Sequence, residues 1–96
     1  MDRDSSFTWD PAKELENIYK YGVDFITVAK VFKDPERKIF IDAKHSKREE
    51  RLFCIGKVKN RILTVRFTYR EGKMRIIGAG CWRKGKRFYE KEKNRF

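Results

Sequence analysis

The most regular pattern in the chain is the alternation over RILTVRFTY, residues 61–69. Leu63, Val65, Phe67 and Tyr69 fall on one side of a period-two strand, and Ile62, Thr64, Arg66, Thr68 and Arg70 fall on the other. Shorter runs flank it: RKIFID at 37–42, with Ile39 and Ile41 on one face, RLFCIGKV at 51–58 and MRIIGAGCW at 74–82. Between the last two strands, REGK supplies Gly72 for a hairpin turn.

Before residue 33 the period is helical. Asp10 suits an N-cap and Pro11 the first helical position, where a missing N–H loses no bond. Leu15, Ile18 and Tyr19 recur at helical spacing, and Gly22 can take the left-handed residue that ends the helix. Asp24 opens a second short helix through FITVAKVF, with Phe25, Val28, Ala29 and Phe32 on one side, and KDPE stops it. The segment ahead of Asp10 reads as a short extended lead-in, and RKGKRFYEKEKNRF as a loop followed by a frayed basic helix. The order α-α-β-β-β-β-α predicts an α+β fold. Residues 37–82 should form a four-stranded antiparallel meander, with the helices of residues 10–32 on the face bearing Val65 and Phe67. Ninety-six residues suit a single domain spanning 1–96, with a thin core and loose ends at 1–6 and 91–96.

Charge divides the chain. Residues 1–36 hold five Lys/Arg against eight Asp/Glu, a net of −3, while residues 37–96 hold twenty against six, a net of +14. Such a field attracts polyanions. Aromatic residues interleaved with the cations favour nucleic acid, because bases can stack while cations hold phosphates. No apolar stretch reaches transmembrane length and the N-terminus lacks an apolar signal core, so a cytoplasmic protein with no membrane partner is expected. Cys54 and Cys81 stand apart, as reduced, buried small hydrophobes would.

The chemistry-bearing residues are few. His45, the only histidine, sits in DAKHSKREER, close to Glu49 and Glu50. A histidine and a carboxylate can act as acid and base in RNA cleavage, because histidine titrates near neutral pH; the same residues can equally form a polar corner between two strands. One histidine and two distant cysteines make no zinc set, and there is no Ser-His-Asp pattern or phosphate loop. No metal or other cofactor is expected. Arg66 and Arg70 project from one strand face at the spacing of adjacent phosphates, and Arg75 enters the next strand. Trp82, Arg83, Lys84 and Tyr89 could hold single-stranded RNA by stacking and phosphate contact, or Trp82 and Tyr89 could simply complete the core.

Taken in order, the segments resemble the BrnT family of bacterial toxins over about residues 7 to 90. The likeness rests on FTWDPAK, Asn17, Lys20, GVDF with Ala29, the DP at 34–35, DAKHSKREERLFCIG and TYREGKMRIIGA. It implies a fold similar to the RelE/ParE toxins and an endoribonuclease activity. It also implies a BrnA-like antitoxin that dimerises the complex and contacts operator DNA. His45, Ser46, Glu49, Glu50 and Arg51 match the family's HS…EER block, Lys20 its KHG lysine, Thr68 and Arg70 its T-x-R, and Arg75 the arginine of its RIISAR. The resemblance does not say which residue is the base; the expected assignment, drawn from the residue chemistry, gives His45 with Glu49 or Glu50 the acid–base work. Arg66, Arg70 and Arg75 would carry the electrostatic work, and Lys20 substrate positioning, with Arg51 and Thr68 at the RNA. The chain departs from the pattern at Tyr21 (KYG for KHG), at Gly78 and Gly80 (RIIGAG for RIISAR) and in CWRKGKRFYE. These departures suggest an alternative: a weak or inactive basic module that pairs with an antitoxin in an operon-regulating complex.

Overall fold

The computed structural model describes residues 7–93. It is α+β, but its sheet has five strands and is mixed. The elements run β1 (Phe7–Trp9), α1 (Pro11–Tyr21), α2 (Phe25–Ala29) continued by a 3₁₀ turn (Lys30–Lys33), and β2 (Lys38–Ile41). A second 3₁₀ turn (Ala43–His45) leads to β3 (Leu52–Val58), β4 (Arg61–Arg70), β5 (Lys73–Gly80) and α3 (Arg83–Lys93). The meander β2-β3-β4-β5 forms as expected. The lead-in, however, becomes β1 and pairs in parallel with β5, placing Phe7 beside Met74 and Trp9 beside Ile76. Phe7 and Trp9 thereby put their rings against Phe32 and Phe25 of the helical layer, which a free lead-in could not do.

The N-terminal caps form as the sequence indicates. Asp10 accepts from the Ala12 N–H at 2.9 Å. Asp24 accepts from the Thr27 N–H and hydroxyl at 3.3 and 2.6 Å. Gly22 ends α1 at φ +70°, a backbone conformation that costs glycine little. Leu63, Val65 and Phe67 are fully buried against Phe25, Val28 and Val31, with Cys54 beside them. Burial pushes the Cys54 thiol up to about 12, so it is inert. Cys81, expected to be buried, is exposed beside Arg61.

α1 turns out differently from its apolar spacing. Leu15 and Tyr19 are 68% and 91% exposed, and the residue α1 buries is Asn17. The reason lies at the edge of the sheet. β1 stops opposite Ile76, so the outward N–H of Ala79 would be left without an acceptor. Asn17 Oδ1 accepts it at 3.0 Å, while Asn17 Nδ2 donates to Val23 O at 3.0 Å. Satisfying buried backbone groups outweighs hiding a modest apolar stripe. Asp34 does the same at the other end, accepting from the Lys57 N–H of β3 at 2.7 Å where β2 has not yet begun.

α3 begins at Arg83, straight after the short connection at 81–82 and without the expected loop over RKGK, and crosses the opposite face of the sheet. A Cβ at Gly85 would collide with the Thr64 hydroxyl and stand 3.7 Å from Ile55, so glycine lets the helix lie directly on β4. Tyr89 is buried, 3% exposed, and its hydroxyl donates to Asp34 at 2.6 Å. Its burial matches the other reading of Tyr89, as a residue that packs the last helix on the sheet. The expectation of loose ends at 1–6 and 94–96 lies outside the described residues, while residues 91–93 belong to α3.

Candidate active site

Strand registers arrange the polar face of the sheet in rows. Thr64 and Gly80 lie together under α3 and Trp82, and Arg66 stands between Phe53 and Gly78. In the next row Thr68 pairs with Arg75, and Arg75 with Thr8. One step beyond the Leu52–Phe67 pair, Arg51 comes opposite Thr68, and Asp42 donates its N–H to Arg51 O at 2.8 Å. A single row thus runs Asp42, Arg51, Thr68, Arg75, Thr8, its first two members one residue outside β2 and β3, with neighbours about 4.8 Å apart. Val65, fully buried, and Arg66, half-buried, keep the expected register.

His45 stands at the end of this row. Its Nδ1 lies 2.8 Å from Oδ2 of Asp42, a buried carboxylate, whereas its own side chain is half exposed. A carboxylate can only accept, so Nδ1 is the donor in this bond. Neither of the expected partners, Glu49 and Glu50, bonds to the ring among the described residues. Glu49 accepts from Arg70 Nε and Nη2 at 3.1 and 3.0 Å and from Arg51 Nε at 3.1 Å. The Arg70 guanidinium, helped by Arg51, holds the Glu49 carboxyl below the usual carboxylate range. Glu50 contributes its backbone carbonyl, which accepts from the Thr68 hydroxyl at 2.6 Å, and its side chain is exposed. Ser46 closes the turn, donating to Asp42 O at 2.7 Å and accepting from the Arg51 N–H at 2.9 Å.

The arginines fall into two kinds. Arg70 is neutralised by its two bonds to Glu49, which raise it above the ordinary guanidinium value. No carboxylate pairs with Arg66 or Arg75 among the described residues. Both are half-buried on the same face. Lys20 lies on the exposed last turn of α1, paired with Glu16 at 3.1 Å. Arg83 and Lys84 are exposed on the first turn of α3. Phe40 and Phe53 are aromatic neighbours of the Arg66 row at 5.4 Å, and Phe88 joins Phe40 at 5.3 Å. Sequence reasoning missed these rings and Asp42. For Asp42 the signal was present: its side chain falls on the same strand face as Phe40, three residues before His45.

The model of a ribonuclease toxin family, BrnT of type II toxin–antitoxin systems, matches residues 9–85. The chain belongs to the BrnT family. No curated relative matches it. Membership implies an antitoxin partner, since a type II system consists of a protein toxin and a protein antitoxin. No helix among the described residues is long and apolar enough to cross a membrane, and no three His, Cys, Asp or Glu side chains among them gather as a metal set would.

Three departures from the BrnT pattern meet in space. The Trp82 ring lies on Gly80, where a Cβ would stand 3.0 Å from its edge, and Trp82 meets Tyr21 edge-to-face at 5.3 Å. Glycine at 80, tryptophan at 82 and tyrosine at 21 thus pack together, two rows away from Arg75. Gly78 is separate: a Cβ there would make ordinary contact with Arg66 Nη2 at 3.7 Å and Asn17 Oδ1 at 3.6 Å.

Proposed function

We propose that this chain is a toxin that cuts RNA by side-chain acid–base catalysis, without a metal, and is neutralised by a BrnA-like antitoxin. The observation that carries the proposal is the His45–Asp42 pair: a half-exposed imidazole, oriented by a buried carboxylate, on the sheet face that also carries Arg66 and Arg75, which no carboxylate pairs among the described residues. Family membership supplies the reaction class.

In the proposed reaction His45 Nε2 takes the proton of a ribose 2′-hydroxyl. The 2′-oxygen bonds to the adjacent phosphorus and the bond from phosphorus to the 5′-oxygen breaks. The departing oxygen gains a proton from solvent, leaving a 2′,3′-cyclic phosphate and a 5′-hydroxyl. Asp42 holds the ring in the required tautomer, and its negative charge faces the ring as it becomes cationic. Arg66 and Arg75 stabilise charge on the phosphorane, an effect worth about 3–4 kcal/mol for a well-aimed donor. Arg70, Arg51 and Glu49 act as a clamp that ties the 46–51 loop to β4, with Thr68 as its second tether. Lys20, Trp82, Arg83 and Lys84 extend the RNA-binding surface beyond the reacting phosphate.

The alternative, an inactive module, draws on the loss of a hydroxyl at Gly78 beside Arg66. The clustering of Tyr21, Gly80 and Trp82 away from His45 favours activity instead. Expression of the chain alone should arrest growth, and co-expression of its antitoxin should lift the arrest. Normal growth with folded protein present at high level would sink the toxin reading.

A further inference from the structure

Both inner strands left uncovered at the sheet edges are capped by a side chain: β5 by Asn17 and β3 by Asp34. The outer edge of β2 is treated differently. The bond from the Asp42 N–H to Arg51 O fixes the alternation of the β2–β3 ladder. Lys38, Phe40 and Asp42 turn their backbone groups toward β3, so the N–H and C=O of Ile39 and Ile41 point outward along the free edge. The side chains of these two isoleucines are also exposed, 46% and 56%, on the face that buries Val65. An open edge lined with apolar side chains is a template for another strand, and proteins normally blunt or cover it.

We infer that the β2 edge is the docking strand for an extended, acidic segment of the antitoxin, which adds to the sheet beside Ile39 and Ile41. The inference rests on the antitoxin part of the proposed function and is independent of the ribonuclease part. Strand addition supplies backbone bonds for affinity, and alternate side chains supply specificity. Charge selects the occupant: Arg37, Lys38 and Lys44 lie in or flank the edge strand and Lys47 and Arg48 follow in the next loop, against the exposed Glu36 and Glu50, while Asp42 is buried and Glu49 is bound by two arginines. A second copy pairing here would bring two such basic rims together, so self-association is disfavoured. The α1 stripe of Leu15, Ile18 and Tyr19 offers apolar surface but no unsatisfied backbone, and it carries the internally paired Glu16 and Lys20. Position gives the docking a consequence. β2 runs directly into Asp42 and the Ala43–His45 turn, so a strand laid on it ends beside the free nitrogen of His45.

The test compares amide hydrogen exchange of the intact chain, free and in complex with its antitoxin. It adds binding by titration calorimetry of two variants, Ile39→Lys with Ile41→Lys, and Ile39→Pro. The proline removes one outward N–H without touching an inward bond, a position where edge strands accept proline. Residues 39 and 41 should gain protection in the complex, and the double lysine variant should bind the antitoxin about 100-fold more weakly. Its growth arrest should remain, no longer relieved by the antitoxin. Protection confined to α1, unchanged antitoxin affinity in both variants, or a wild-type dimer in sedimentation that the lysine variant dissolves would each overturn the inference. If the wild-type chain fails to arrest growth but the lysine variant still loses antitoxin binding, the ribonuclease reading fails and the docking edge stands.

Discussion

The two faces of the sheet are built from the same five strands and used in opposite ways. On one face Leu63, Val65, Phe67 and Ile76 are sealed under α2 and its 3₁₀ extension, with fully buried rings and methyl groups. On the other, α3 lies on the row of Thr64 and Gly80 and reaches the next row through Phe88 on Phe40, leaving Arg66 and Arg75 half-buried and His45 half exposed. The first face supplies cohesion. The second holds like charges side by side at some expense in stability, and its order comes from directional bonds: Asp42 to His45, Thr68 to Glu50 O, Arg70 to Glu49. Stability and chemistry are thus separable by strand alternation, residue by residue along β4.

That separation can be broken most severely at Phe67. Phe67→Ala should destabilise the chain by about 3–5 kcal/mol, because a fully buried ring leaves a cavity that Phe32 and Tyr69 cannot fill. A melting experiment showing less than about 1 kcal/mol would mean that this face is not the cohesive one. Thr68→Val probes the row where the faces depend on each other. It leaves the Glu50 carbonyl without its donor, so stability should fall by about 1–3 kcal/mol and RNA cleavage should fall with it as the 46–51 loop loosens. Loss of cleavage with unchanged melting would assign Thr68 to the RNA rather than to the tether.

Tyr89→Phe sharpens the contrast within α3. It should cost about 1 kcal/mol through the lost bond to Asp34 and leave RNA binding unchanged. Burial first, and then the bond to Asp34, raise the Tyr89 phenol above its ordinary value of about 10. The unfolded chain therefore loses this proton before the folded one does. The contribution is complete below about pH 10 and is lost as pH rises further, so wild type should weaken above pH 10 more than Tyr89→Phe does in chemical denaturation. Arg66→Ala combined with Arg75→Ala should change stability least, by about 0.5 kcal/mol each or less. It should flatten the salt dependence of RNA binding, since fewer phosphates are contacted. A steep slope that survives both changes would move the RNA elsewhere.

Much of this was legible from local pattern. The caps at Asp10 and Asp24, the left-handed Gly22 and the two sides of β4 each depend on neighbours within a few residues. The parallel pairing of β1 with β5 was not, because three residues carry little periodicity and the partner lies more than sixty residues away. Nor was the outward face of α1, where Asn17 answers a backbone need created by where β1 stops. At the candidate site, His45, Arg66 and Arg75 could be picked out by type and spacing. Their companions took shape only in the fold, although Asp42 stands three residues before His45: it becomes the histidine's partner once β2 and β3 bury it, and Glu49 is taken up by Arg70 once β4 brings that arginine to it. Tyr89 looked like a stacking residue because its partner, Asp34, lies 55 positions away.

The central claim is that the open face does acid–base chemistry through His45. The most direct measurement is the single-turnover cleavage rate of a single-stranded RNA by His45→Ala, beside wild type, with chelator present and below both melting temperatures. The rate should fall about 10²–10⁴-fold, the worth of a positioned proton acceptor, with the melting temperature nearly unchanged because the side chain is half exposed. A variant that melts normally and cleaves as fast as wild type would contradict the account.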